Sequence, residues 1–163
     1  MKARIFQVLA LVVATVTASR YSDYNSNERC QPIKIQMCKG LPYNTTIFPN
    51  LMGHQDQSEA MAEVHPYNAL TKIKCSKDIQ LFLCSMYAPP CLHQWDKPLK
   101  PCRDLCESAR KGCESLMKHF GYDWPKAFDC SKFPPADSEE DICIGSAKEI
   151  VDSQFKPSTL YLY

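Results

Sequence analysis

Ten cysteines in a chain of 163 residues constrain the fold more than any other feature of this sequence. All ten follow position 29 and their number is even, which is typical of a disulfide framework formed in an oxidising compartment. They are Cys30, Cys38, Cys75, Cys84, Cys91, Cys102, Cys106, Cys113, Cys130 and Cys143. A structural zinc site is the alternative, but the chain has no C-x2-C pair and only one C-x3-C pair, at positions 102 and 106. The histidines that could assist such a site are His54, His65, His93 and His119. The sequence therefore favours five disulfides and no metal, and it leaves the pairing open, with about nine times the 105 connectivities available to eight cysteines.

The first 18 residues have the three-part pattern of a secretory signal peptide, which is removed from the mature protein. Lys2 and Arg4 precede an apolar run over residues 5–16, and small residues follow at Thr17, Ala18 and Ser19. The run is shorter than the roughly 20 residues that cross a bilayer as a helix, so an uncleaved anchor is disfavoured. No comparable run follows residue 20, and the sequence predicts a soluble, secreted product.

The charge balance excludes one class of function. Lys and Arg number 19 against 18 for Asp and Glu, and without residues 1–18 the net charge is −1. A near-neutral protein has no overall electrostatic attraction to nucleic acid or to an anionic membrane, so we expect neither as a partner. The hydrophobic fraction of 45% is that of a globular protein, which argues against a wholly disordered chain.

The chain beyond the signal peptide divides at its outer cysteines. Residues 19–29 form a polar lead-in, residues 30–143 the cysteine-rich domain, and residues 144–163 a cysteine-free tail that we expect to be flexible. Just inside the first cysteine, Ile33, Ile35 and Met37 alternate with polar residues, which predicts a short strand. Asn44 begins an N-x-T sequon between prolines, which predicts a glycosylated, exposed loop.

Two segments in the middle of the domain have the capping residues and apolar content of helices. Asp56 and Glu59 form a capping box that opens the first helix, and Pro66 should stop or kink it. The second helix begins with Ser76 as its cap, is apolar on nearly every side, and ends before Pro89.

A third helix is predicted with the clearest boundaries. Pro101 suits its start and Gly121 its end. Its apolar positions are Leu105, Cys106, Ala109, Cys113, Leu116, Met117 and Phe120. Because Cys102, Cys106 and Cys113 share one face, we expect three disulfides to join this helix to neighbouring segments.

The segments between the cysteines match those of a known family over residues 30–143. The longest are FPNLMGH at 48–54 and FLCSMYAP at 82–89. Others are at 30–33, 37–39, 43–46, 63–65, 101–103, 106–107, 109–110, 112–114, 120–122 and 124–125. With all ten cysteines included, the chain resembles the cysteine-rich domain of Frizzled receptors and of secreted Frizzled-related proteins.

The resemblance implies a fold and a disulfide pairing. The fold is mainly α-helical and disulfide-rich, with short β-strands and five disulfides. Carried over cysteine by cysteine, the pairs are Cys30–Cys91, Cys38–Cys84, Cys75–Cys113, Cys102–Cys143 and Cys106–Cys130.

The family also implies binding of Wnt proteins, secreted ligands that carry a covalent fatty acyl chain. By matched position, the groove for that chain would be lined by Tyr67, Ile73, Met117, Phe120 and Tyr122. The helical spacing of Met117 and Phe120 from Cys113 and Leu116 is equally that of ordinary core residues. Groove and core therefore both remain open for these two side chains.

A second contact region in the family corresponds to residues 92–100 of this chain. Trp95, Pro98 and Leu99 are its candidate binding residues, because a large rigid ring buries area at low entropy cost. The alternative is that Trp95 packs back on Pro98.

Three positions depart from the family pattern. Pro66 and Ala69 alter the sequence that forms one wall of the implied groove, and Leu81 stands where a phenylalanine is usual. A smaller side chain at 81 can be absorbed in a core. The departures bear on groove shape and on which Wnt is bound, but not on the fold.

Three classes of function compete. The leading interpretation is a secreted protein that binds and sequesters Wnt, and the runner-up is the ectodomain of a seven-helix Frizzled receptor at the plasma membrane. The resemblance also allows pairing with a second copy or with other Frizzled cysteine-rich domains. An enzyme is the weakest interpretation, because the chain has no G-x-S-x-G, H-E-x-x-H or P-loop motif and oxidised cysteines are not nucleophiles. We expect no cofactor.

Overall fold

The structure, a computed structural model, describes residues 29–92, 95–138 and 141–145. The predicted signal peptide lies outside these residues, as do most of the lead-in and of the tail. Four helices, two short strands and five disulfides make up the described part of the chain, so the mainly helical, disulfide-rich fold is confirmed.

The two strands lie near the first cysteine. Strand β1, Gln31–Pro32, pairs antiparallel with strand β2, Thr45–Thr46. The strand predicted over Ile33, Ile35 and Met37 is wrong in its position, because the last hydrogen bond to the partner segment is from Ile33 N–H and the chain then forms a single 3-10 turn at Gln36–Cys38. Ile33 and Ile35 are nevertheless buried and Lys34 exposed, so the alternation reflects packing of an extended segment against helices rather than a longer sheet.

Helix α1, Gln57–Val64, begins as its capping residues predict. The Asp56 carboxylate accepts hydrogen bonds from the backbone N–H groups of Ser58 and Glu59 at 2.8 and 3.0 Å. The Glu59 carboxylate in turn accepts one from Gln55 N–H at 2.8 Å. At Pro66 the α-helix gives way to a 3-10 turn, His65–Tyr67, and a second helix follows at once as α2, Asn68–Ile73.

Helix α3, Ile79–Tyr87, is buried at every position except Gln80 and ends before Pro89, as its nearly continuous apolar sequence predicts. Asp78 occupies the capping position, and the Ser76 hydroxyl accepts from Asp78 N–H at 3.2 Å. The predicted cap therefore lies two residues before the observed one.

Helix α4, Arg103–His119, buries the stripe formed by Leu105, Cys106, Ala109, Cys113 and Met117. The five disulfides are Cys30–Cys91, Cys38–Cys84, Cys75–Cys113, Cys102–Cys143 and Cys106–Cys130, the pairing that the family resemblance implies. Three of them hold α4, at its cap and on its buried face, to segments before and after it. These disulfides fix the position of α4, whose C-terminal end forms part of the cavity described below.

The domain extends one residue beyond the last cysteine. Ile144 is buried, its N–H donates to the Lys100 carbonyl at 2.9 Å, and its carbonyl accepts from Cys102 N–H at 2.8 Å. The first residue of the predicted tail thus packs in the core, whereas residues 146–163 lie outside the described chain.

Candidate ligand-binding groove

A cavity of about 550 Å³ opens between α2 and the C-terminal end of α4. This volume lies within the range of about 300–1,000 Å³ that is usual for small-molecule sites. Its lining residues are Glu63, Pro66, Tyr67, Ala69, Leu70, Ile73, Leu116, Met117, Phe120, Tyr122 and Asp123. All five residues predicted to line a groove are among them, although they come from three separate elements. We call this cavity the groove.

The groove has a buried floor and an exposed apolar rim. Leu70 and Met117 are 9% and 7% exposed, whereas Ile73, Phe120 and Tyr122 are 59%, 65% and 68% exposed. Met117 therefore belongs both to the core and to the groove, and Phe120 is not a core residue. Large apolar side chains clustered at the surface mark a binding site more often than chance exposure.

The end of α4 places the two aromatic rings on the rim. Gly121 has φ of +80°, a left-handed conformation that glycine adopts at no steric cost. The Gly121 N–H donates to the Lys118 carbonyl at 3.0 Å, and the Tyr122 N–H to the Met117 carbonyl at 2.9 Å. This pair of bonds is a Schellman motif, which ends the helix and sets Phe120 and Tyr122 on either side of the turn.

Tyr67 joins the groove to the aromatic core. Its ring centroid lies 5.6 Å from that of Phe128 and 6.3 Å from that of Tyr87. Burial raises the pKa of the Tyr67 phenol, and the negative charge of Glu63 raises it further.

Glu63 is a charged lining residue that the sequence analysis did not assign to the site. The Tyr87 hydroxyl donates to one of its carboxylate oxygens at 2.9 Å, and His54 Nε2 lies 2.8 Å from the other. Because Asn50 Nδ2 donates to His54 Nδ1 at 3.0 Å, the proton of the neutral imidazole belongs on Nε2, which then donates to Glu63. These contacts hold the carboxylate in a fixed position at the groove.

Some of the other lining residues are marked by a pattern in the sequence, and others are not. Leu116 lies one helical turn before Phe120, so the 3.6-residue period of α4 could have identified it. Pro66 and Ala69, noted as departures from the family pattern, do line the groove. Asp123 follows the turn after α4, and no periodic pattern marks it.

Trp95, Pro98 and Leu99 line a second depression of about 440 Å³. None of its lining residues is shared with the groove, so the structure separates the two predicted sets. Trp95 is 38% exposed. The loop that carries it is tied to the start of the domain by an ion pair between Arg29 and the neighbouring Asp96.

The family model for the Fz domain matches residues 30–137 of this chain. The chain belongs to the Fz domain family. It is 49% identical over 133 residues to Protein mom-5 of Caenorhabditis elegans, covering 82% of this chain and 22% of that protein. It is 51% identical over 128 residues to Frizzled of Drosophila virilis, covering 78% and 22% respectively. It is 53% identical over 118 residues to Frizzled of Drosophila melanogaster, covering 72% and 20%.

The chain thus spans about a fifth of the length of the curated relatives it matches. Among solved structures, a crystal structure of the Smoothened CRD is similar at 28% identity and a TM-score of 0.47, covering 66% of this chain and 93% of that one. Fz domains are ligand-binding receptor domains rather than enzymes. Within the described residues of this Fz domain, no helix combines the length and the apolar character needed to cross a bilayer.

The predicted glycosylation site of the Fz domain is at its surface. Asn44 is exposed immediately before β2, while its backbone carbonyl accepts from Ile33 N–H at 2.9 Å. The side chain is therefore accessible without disturbing the sheet, and glycosylation stays a prediction.

Substitution Tyr67→Ser should destabilise this Fz domain by about 1–2 kcal/mol, because it removes a half-buried ring from the aromatic core. Tyr122→Ser is the matched control, since the same side chain is lost from a position that is 68% exposed, and its effect should stay within about 0.5 kcal/mol. Denaturant unfolding of both disulfide-intact variants measures the difference. Equal losses would contradict the placement of Tyr67 against Phe128.

Proposed function

We propose that this Fz domain binds Wnt proteins outside the cell and holds their fatty acyl chain in the groove. One observation carries the proposal: the five side chains implied by family resemblance line a single cavity, and three of them leave apolar surface exposed at its rim. Tyr67 and Tyr122 are 55 positions apart in the sequence, so only the fold brings them to the same cavity.

The chemistry of the groove suits a hydrocarbon chain. Most of the lining is aliphatic or aromatic, and the two carboxylates are at Glu63 and Asp123. An acyl chain that covers Ile73, Phe120 and Tyr122 removes apolar surface from water on both partners, at roughly 25 cal/mol per Å². We further propose that the protein part of Wnt contacts the exposed Trp95 ring and its neighbours in the second depression.

The setting of the domain has two candidates. A secreted protein that sequesters Wnt is the first, and the expected signal peptide is compatible with it, as it is with a receptor. A receptor ectodomain is the second, and it is supported by relatives named Frizzled, of which this chain spans about a fifth. Sequencing the transcript past the codon for Tyr163 separates them: a stop codon supports the secreted form, and apolar spans of about 20 residues support the receptor.

Substitutions Tyr122→Ser and Phe120→Asn, made separately, should each weaken binding of acylated Wnt about tenfold. Each removes part of an aromatic surface of about 150–250 Å² that the ligand would cover, and neither adds a charge at the end of α4. Because both side chains are mostly exposed, secretion should be normal. Affinities measured on purified, disulfide-intact proteins test this.

The matched control is Met61→Ser, which removes an apolar side chain that is 41% exposed on α1 and does not line the groove. Its affinity should equal that of the unsubstituted domain. Unimpaired binding by both rim variants would show that the acyl chain lies elsewhere, and it would leave the family assignment standing.

A further inference from the structure

The lining of the second depression has more cationic than acidic side chains, although the whole chain is nearly neutral. Four cationic side chains line it, those of Lys97, Lys100, Arg103 and Lys132, whereas Asp141 is the one acidic lining residue in the described part of the chain. All three lysines are exposed. None of the four cations forms an ion pair within the described residues, and the Lys132 Nζ donates to the Lys126 carbonyl at 2.9 Å.

Arg103 strengthens this depression as an anion site. It is the first residue of α4, where backbone N–H groups and the helix dipole favour negative charge. Its own N–H donates to the Pro134 carbonyl at 2.8 Å, which fixes its backbone at the wall of the depression. Its Nε is shielded from solvent and has no hydrogen-bond partner among the described residues. Its guanidinium adds a permanent positive charge to the wall of the depression.

Two further depressions each share a cationic lining residue with this one. Lys132 also lines a neighbouring depression with Lys126 and Arg110, and Arg103 lines a third with Arg110. Asp129 lies in both of these, Glu107 also lines the third, and Arg110 is already engaged by the Glu114 carboxylate, so the cationic character belongs mainly to the first depression. The four cations of the first depression can pair with several anionic groups of one ligand.

We propose that this cationic surface binds a sulfated polysaccharide. Such a chain carries strong anions at regular intervals for the lysines, and its sugar rings have apolar faces that can pack on the exposed Trp95 ring. Sulfated polysaccharides also occur outside cells, where a secreted or receptor-borne domain meets them. The inference does not depend on binding of the acyl chain, since none of the residues that line this depression lines the groove.

The test uses heparin as the probe, with binding measured across salt concentrations around about 0.15 M. The variant Lys97→Gln with Lys100→Gln should weaken affinity at least tenfold. The slope of log affinity against log salt concentration should shrink by about two, one for each cation removed. The matched control is Lys34→Gln with Lys39→Gln, which removes the same charge from two exposed lysines outside the depression and should bind like the unsubstituted protein.

Three results would overturn the proposal: equal losses in the two double variants, equal binding of heparin and chemically desulfated heparin, or capture by phosphatidylserine vesicles with no binding to heparin. Equal losses would mean that only the net charge of the protein matters. Equal binding of desulfated heparin would mean that sulfate is not recognised, and capture by vesicles alone would mean that the surface binds a membrane. Heparin affinity of the Phe120→Asn protein is measured in parallel. Normal heparin binding with weakened binding of acylated Wnt separates this inference from the proposed function.

Discussion

A Wnt protein that lacks its fatty acyl chain should bind this Fz domain about a thousandfold more weakly than the acylated ligand. About ten buried methylenes contribute roughly 8 kcal/mol, at about 0.8 kcal/mol each. Ordering the flexible chain and the exposed rim side chains opposes this gain, and if it removes about half, roughly 4 kcal/mol remains. That difference corresponds to a factor of about a thousand in affinity. Side-by-side affinities of both forms for one preparation of the domain measure it.

The groove variants show whether this preference arises in the groove. Phe120→Asn should lower the affinity for acylated Wnt and leave that for unacylated Wnt unchanged, which a double-mutant cycle expresses as one coupling energy. If the two forms of Wnt bind equally well to the unsubstituted domain, the acyl part of the proposal is wrong. Binding would then have to be carried by a protein surface such as the one around Trp95.

The helices and their limits were predictable because their signals are local. Asp56 caps α1 and Gly121 ends α4 through contacts within a few residues of each, so the sequence contains the whole of each signal. The strand predicted at Ile33 and Ile35 failed for the opposite reason. Period-two burial depends on what lies on either side, and here helices rather than strands cover the chain.

The polar contacts that hold Glu63 at the groove were not predictable from local patterns. His54, Glu63 and Tyr87 meet through side chains from a loop and two helices, and each alone is compatible with many surroundings. Burial of Met117 was equally ambiguous, since the 3.6-residue period places it on the inner face of α4 without saying whether that face ends in core or in groove. Only the packing of α2 beside α4 decides this.

Gly112→Ala should destabilise the Fz domain by roughly 1–2 kcal/mol, although alanine is the better helix former. Gly112 lies where α4 crosses the backbone before α3, and a Cβ there would overlap the Cys75 carbonyl oxygen and lie 2.8 Å from the Ser76 Cβ. Overpacking of this kind costs about 1–3 kcal/mol or more, against a gain of up to about 1 kcal/mol in helix propensity. Denaturant unfolding of the disulfide-intact protein measures the net effect.

The neighbouring contacts prevent the two segments from moving apart to relieve that overlap. The Cys75–Cys113 disulfide adjoins the contact, and the Ser76 hydroxyl donates to the Ser108 carbonyl at 3.1 Å one turn earlier on α4. The control Lys111→Ala changes an exposed side chain on the same helix and should be nearly neutral. Because domains are stable by only about 5–15 kcal/mol, a loss of this size should also reduce the yield of secreted Gly112→Ala protein. A stability equal to or above that of the Lys111→Ala control would mean that α4 does not approach Cys75 so closely, and the position of α4 against the groove would then need revision.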